Sequence, residues 1–121
     1  SMVETLAVNH KLAIASGSWA TDIRYILANA GASDLFPVIL GKESAKREKP
    51  HPDIFLNAAE KLGCAPSECF VLEDALKGLH AARKAGMPCI ILRNPLNQNI
   101  NFEGAELIFE SLEDFVTALK A

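Results

Sequence analysis

The most constraining feature of the sequence is an apolar run that ends in two adjacent carboxylates and leads directly into a helix-forming segment. Residues 69–72 (Cys-Phe-Val-Leu) predict a short buried strand, and residues 75–85, rich in Ala, Leu and Lys, predict a helix. Glu73 and Asp74 therefore lie at the C-terminal end of a strand, where open α/β sheets bind their ligands. A cation, a shared proton or water would relieve the repulsion between them, and a hard divalent cation such as Mg²⁺ would suit the pair. The alternative is that they only open the helix, whose dipole favours negative charge there.

The rest of the chain alternates apolar runs with helix-forming segments in the same way, after a helical or irregular lead-in at residues 3–10. Strands are predicted at residues 11–15, 37–40, 69–72, 88–92 and 106–109. Helices are predicted at residues 18–30, 50–62, 75–85 and 111–120. Gly63 and Gly86 are predicted to end the second and third of these helices, and Ser111 is predicted to begin the fourth. This alternation predicts an α/β fold, in which helices cover both faces of a parallel sheet.

The first of these long helices has clear start and stop signals. Ser18 is predicted as its N-cap, and Gly31 as its C-terminal stop. Between them, apolar residues such as Trp19, Ile23 and Ile26 recur at helical spacing, so they predict an amphipathic helix with one buried face.

Size and charge limit the class of protein. A chain of 121 residues predicts one domain, here residues 3–121, because Ser1-Met2 resembles the remnant of a cleaved expression tag. A formal net charge of -3 argues against nucleic acid or an anionic membrane as partner. Without a long apolar run or a signal-peptide pattern, the expected location is the cytoplasm. The three cysteines match no metal or redox spacing, and are expected to be buried thiols.

Polar groups stand at three junctions that precede helices: Ser16 with Gly17, then Lys49, then Glu73 with Asp74. Successive parallel strands end at the same edge of a sheet, so these groups can converge. A hydroxyl, a backbone amide, a lysine and a metal-binding carboxylate pair would make a phosphate site, because each offsets the charge of phosphoryl oxygens.

Each group also has a simpler interpretation. Ser16 can be a turn residue ahead of a helix, and Lys49 can be one more solvated charge in a basic loop. Gly78 either interrupts its helix without purpose or marks a close approach of two segments. The joint order of the groups and their junction placement favour the functional interpretation.

Three segments in order, residues 13–18, 49–55 and 71–87, resemble the haloacid dehalogenase-like hydrolases, in the branch of β-phosphoglucomutase and phosphoglycolate phosphatase. The resemblance implies a Rossmann-like three-layer core. It also implies that Ser16 holds the phosphoryl group, that Lys49 stabilises the phosphorylated intermediate, and that Glu73 and Asp74 bind Mg²⁺. The implied substrate is a small phosphorylated metabolite.

The sequence departs from this family at one decisive point. The family uses an aspartate nucleophile in an Asp-x-Asp motif on its first strand, and no Asp-x-Asp occurs here. The resemblance therefore implies that the first strand and the helical cap are missing, so that the central position of the sheet holds a gap or a substitute. Exposed strand edges would favour self-association.

Two functional hypotheses follow. The full-length protein is a Mg²⁺-dependent phosphatase or phosphomutase that forms an aspartyl phosphate, and the present chain alone is inactive. The alternative is a shortened, noncatalytic relative that serves as a binding or assembly module.

Overall fold

The computed structural model describes residues 2–120, in which strands and helices alternate. The helices are α1 (Met2–Asn9), α2 (Ala20–Asn29), α3 (Asp53–Leu62), α4 (Leu76–Lys84) and α5 (Leu112–Lys120). The strands are β1 (Ala13–Ala15), β2 (Val38–Leu40), β3 (Val71–Glu73), β4 (Cys89–Leu92) and β5 (Leu107–Phe109). Ser1, half of the predicted tag remnant, lies outside the described residues.

All strand pairs in the described part of the chain are parallel, but they form two sheets. One sheet has the order β2-β1, and the other has the order β3-β4-β5. No backbone ladder joins β1 to β3 within residues 2–120. The expected interruption of the sheet is therefore present between these two strands.

Strand β4 shows how helices cover both faces. Its side chains alternate, so that Cys89 and Ile91 lie in one hydrophobic core while Ile90 lies in the other. The first core also contains buried side chains of α3 and α4, and the second contains those of α1 and α5. The predicted α/β architecture of three layers is confirmed.

Several local predictions are confirmed. Gly63 follows α3 in the left-handed conformation, with φ of 73°, and Gly86 follows α4 with φ of 77°. The hydroxyl of Ser111 accepts a hydrogen bond of 3.0 Å from the backbone N–H of Asp114 at the start of α5.

The predicted start of α2 is wrong. The helix begins at Ala20, and the Ser18 side chain does not cap it. Instead, the carboxylate of Glu43 accepts the N–H of Ala20 at 3.0 Å. An acid from a distant segment thus satisfies the helix terminus, which local sequence could not indicate.

The predicted apolar face of α2 is only partly buried. Ile23 is buried, whereas Trp19 is 51% exposed and Ile26 is 64% exposed. The helix packs against β2 of the two-stranded sheet, which offers little surface to cover a full apolar face.

All five strands begin one or two residues later than predicted. The largest consequence is at β3, which runs from Val71 to Glu73, so that Phe70 precedes the strand and is 39% exposed. A short 3₁₀ helix at Pro66–Glu68 has Cys69 as its C-cap. Cys69 therefore belongs to this turn and not to the predicted strand.

The three cysteines are free thiols, but only Cys89 is buried. Burial, together with the nearby negative charge of Glu73, raises the pKa of Cys89 to about 12. The prediction of buried thiols is thus wrong for Cys64 and Cys69, which are half-buried.

Candidate functional site

The side chain of Lys49 joins the carboxyl ends of the two sheets. Its Nζ donates to Oε2 of Glu73 at 2.6 Å and to the backbone oxygen of Ala15 at 3.1 Å. The two charged side chains are 20% and 13% exposed, respectively, so water screens their attraction little. The lysine and the first of the two acids therefore converge across the gap between β1 and β3.

Gly78 makes this position of Glu73 possible. Glu73 ends β3, and its carboxyl group lies directly on the backbone of α4 at Gly78. A Cβ at position 78 would overlap with the side-chain atoms of Glu73. Of the two interpretations of Gly78, the close approach is confirmed.

A cavity of about 200 Å³ opens beside Lys49 and is also lined by Ser16 and Gly17. The ring of Phe55 lies under the lysine, with Nζ 4.8 Å from the ring centroid. The groups predicted to hold a phosphoryl group thus share one concave surface.

Ser16 also has the local role that its turn sequence favours. Its Oγ accepts the backbone N–H of Ser18 at 3.1 Å. This bond uses one lone pair of the hydroxyl and leaves its hydrogen free to donate.

The two acids of the pair have different surroundings. Glu73 is occupied by Lys49, whereas Asp74 is exposed and accepts an N–H of the Asn94 side chain on Oδ2 at 3.1 Å. Asp74 lines a second, open cavity of about 390 Å³ with Asn94 and Arg93. Within residues 2–120, no three His, Cys, Asp or Glu side chains lie close enough together to hold a metal ion.

Asn94 and Asn97 are two polar residues at this edge that were not predicted from the sequence. The side chain of Asn97 is buried, and its amide donates to the backbone oxygens of Asp74 at 2.9 Å and Leu92 at 3.1 Å. Its Oδ1 accepts the N–H of Asn94 at 2.9 Å. The signal available in the sequence was Asn-Pro-Leu-Asn, which begins two residues after the end of a predicted strand, at the same edge of the sheet as Asp74.

The basic loop before α3 also contributes to the first cavity. Arg47 lines it and binds the carboxylate of Asp53 with two hydrogen bonds, of 3.0 and 3.3 Å. These hydrogen bonds lower the pKa of Asp53, which therefore stays ionised to more acidic pH.

The sequence model of the haloacid dehalogenase-like hydrolases matches residues 1–92. The chain belongs to this family. The fructose-1-phosphate phosphatase YqaB of Escherichia coli is 37% identical over 82 residues, which cover 68% of this chain and 44% of YqaB.

Solved structures of this hydrolase family have the same fold. The crystal structure of CbbY from Rhodobacter sphaeroides in complex with phosphate matches with a TM-score of 0.86 and 27% identity, over 94% of this chain and 52% of CbbY. The β-phosphoglucomutase of Clostridium difficile matches with a TM-score of 0.80 and 29% identity, over 98% of this chain and 52% of that enzyme. The resemblance to the phosphoglucomutase branch is confirmed, and the chain spans about half the length, or less, of these relatives.

No helix within residues 2–120 is both long enough and apolar enough to cross a lipid bilayer.

Proposed function

We propose that this chain is the C-terminal part of the catalytic core of a Mg²⁺-dependent phosphatase or phosphomutase that acts on a small phosphorylated metabolite. The observation that carries the proposal is the position of Lys49, between the ends of β1 and β3 and beside Ser16 and Gly17 in one cavity. Membership in a hydrolase family that includes the phosphatase YqaB supports it.

Lys49 is suited to hold a phosphoryl group in this cavity. An ammonium group has three N–H donors, and two of them are used by Glu73 and Ala15. The third is free to bind a phosphoryl oxygen. Ser16 would donate its hydroxyl hydrogen, and Gly17 its backbone N–H, to the other oxygens.

The oxygen ligands at the end of β3 fit a hydrated Mg²⁺ ion. Mg²⁺ is commonly bound through one or two carboxylates and keeps several waters, which matches the exposed Asp74 carboxylate with its free Oδ1. Glu73, whose charge Lys49 neutralises, would act mainly by holding Lys49 in place and not as a direct ligand. When bound, Mg²⁺ would neutralise charge on the phosphoryl oxygens.

The nucleophile is the remaining part of the proposal. An aspartate of an Asp-x-Asp motif, outside these 121 residues, would attack the phosphoryl group and form an aspartyl phosphate. The gap between β1 and β3 is the place where a strand could bring that aspartate next to Lys49. On this proposal the present chain binds phosphate esters but does not hydrolyse them.

The test measures binding of propyl phosphate to this chain by calorimetry, beside the variants Lys49→Gln and Lys61→Gln. Losing one charge-assisted hydrogen bond should weaken binding by about 10- to 100-fold in Lys49→Gln. Lys61 is exposed in the last turn of α3 and serves as the matched control.

Circular dichroism would show that both variants keep the fold, and Ser16→Ala would provide a milder change in the same cavity. Equal affinities for wild type and Lys49→Gln would remove Lys49 from the phosphate site. No detectable binding to any of the folded proteins would argue for the noncatalytic scaffold.

A further inference from the structure

The lining of the cavity beside Lys49 has more cationic than acidic side chains, with Glu48 as the acid. Four of its lining residues are cationic: Lys42, Arg47, Lys49 and Lys77. Because the cavity is only about 200 Å³, these charges surround a small volume. Their carboxylate partners decide which of them remain available to a ligand.

Three of the four cations have an acid partner. Lys49 pairs with Glu73 at 2.6 Å, and Arg47 pairs with Asp53 at 3.0 Å. Lys42 lies 4.0 Å from Glu48, in an exposed and therefore weak pair.

Lys77 has no such partner. No carboxylate in the described part of the chain forms an ion pair with it. Glu43, an acid near the same cavity, already accepts a hydrogen bond from the N–H of Ala20. Among the described residues, Lys77 is therefore the cation at this cavity that has no carboxylate within ion-pair distance.

The position of Lys77 in its helix is also unfavourable. It lies in the first turn of α4, where the helix dipole disfavours a positive charge. Arg83 and Lys84 of the same helix lie in the last turn, where the dipole favours them. The end of α4 that lines the cavity thus carries a basic residue where the helix dipole disfavours positive charge.

We propose that Lys77 binds a second anionic group of the substrate, so that the site selects small phosphorylated metabolites that carry another negative charge. This inference rests on the proposed phosphate site at Lys49. The second group is a carboxylate or a second phosphate, since an ammonium group binds either one.

The experiment compares the affinity of this chain for three ligands with a common propyl spacer: propyl phosphate, propane-1,3-diyl bisphosphate and 4-(phosphonooxy)butanoate. Calorimetry at low salt is run on wild type and on Lys77→Gln, Lys77→Arg and Lys84→Gln. Lys84 lies on the same helix and does not line the cavity, so it is the matched control.

Wild type should bind at least one of the two doubly anionic ligands about three- to five-fold more tightly than propyl phosphate, as expected for one exposed charge pair. Lys77→Gln should lose this preference, while Lys77→Arg and Lys84→Gln keep it. Added salt should reduce it. If wild type prefers the bisphosphate alone, the second group is a phosphate. If it prefers both doubly anionic ligands, the site recognises the negative charge of the second group, whether carboxylate or phosphate.

The two proposals fail in different ways. The role of Lys77 would be overturned if wild type shows no preference for double anions, or if Lys77→Gln keeps the preference unchanged. If binding of propyl phosphate still depends on Lys49, the phosphate site stays intact. Failure of all three ligands to bind the folded chain would overturn both.

Discussion

The carboxyl group of Glu73 lies between the ammonium group of Lys49 and the backbone of α4 at Gly78. The lysine neutralises its charge, and the glycine leaves room for its side chain. Asp74, one residue later, is exposed, and its carboxylate accepts a hydrogen bond from the side-chain amide of Asn94. Two adjacent acids of similar chemistry therefore take different roles because one points across the sheet gap and the other towards the loop after β4.

Replacing Gly78 by Ala should destabilise the protein by about 1–3 kcal/mol, because the new Cβ would displace Glu73 and its ion pair with Lys49. This loss should outweigh the gain of about 1 kcal/mol in helix propensity. Urea unfolding of the variant measures the difference.

Gly17→Ala is the control for this substitution, since a Cβ there meets no atom within 4 Å. Its stability should stay within about 0.5 kcal/mol of wild type. A Gly78→Ala variant as stable as Gly17→Ala would mean that Glu73 can leave α4 without losing its partner.

At the scale of elements, the loop after β4 is organised by one buried amide. Asn97 is 3% exposed, and it joins the ends of β3 and β4 through the backbone oxygens of Asp74 and Leu92. Arg93 fixes the same loop by donating to the backbone oxygens of Asn97 and Ile100, each at 2.8 Å. Side chains as well as turns therefore hold the loop in which Asn94 contacts Asp74.

Asn97→Ala should destabilise the protein by about 1–3 kcal/mol, because it leaves backbone groups of Asp74, Leu92 and Asn94 without these partners. Thermal and urea unfolding would measure the loss. Asn99→Ala changes the same residue type in the same loop at an exposed position, and should be nearly neutral. Similar stabilities of the two variants would show that the loop does not depend on the buried amide.

At the scale of the whole molecule, the two sheets meet without pairing. The N–H of Ser16 bonds to β2, and the N–H of Val71 bonds to the residue before β4. Because backbone groups alternate sides along a strand, those of Ala15 and Leu72 point into the gap. The Ala15 oxygen accepts from Lys49, which confirms this direction for β1. These edges are also where the predicted self-association would occur, and it stays a prediction.

A fusion that places the part of CbbY not matched by this chain ahead of residue 3 should fill this gap, if that part supplies the proposed Asp-x-Asp strand. Amide hydrogen exchange at Ala15 and Leu72 should then slow, because their N–H groups gain partners. The fusion should hydrolyse a phosphomonoester in a chelator-sensitive way, whereas this chain alone should not.

The fusion with Asp74→Asn should keep the slowed exchange and lose the turnover, because it removes the proposed Mg²⁺ ligand. Slowed exchange without turnover in the unaltered fusion would point to the noncatalytic scaffold. Turnover by the 121-residue chain alone would contradict the proposed external nucleophile.

Much of this fold could be predicted from the sequence because its signals are local. The order of strands and helices follows from runs of apolar residues and their period, and helix ends follow from Gly63, Gly86 and Ser111. Local signals failed where a distant residue or a neighbouring turn competes. Glu43 replaces Ser18 at the start of α2, and the turn before β3 takes residues from the predicted strand.

By itself, the sequence determined the α/β class, the family and the edge of the sheet at which Ser16, Lys49, Glu73 and Asp74 lie, because strand direction and motif order are properties of the chain. Only the tertiary structure decided their partners. Lys49 binds Glu73, which lies 24 residues away along the sequence, and Asn97 binds the backbone of Asp74, which lies 23 residues away. Such contacts depend on how separate elements pack, since hydrogen bonds and ion pairs form only between groups that packing brings within about 3 Å.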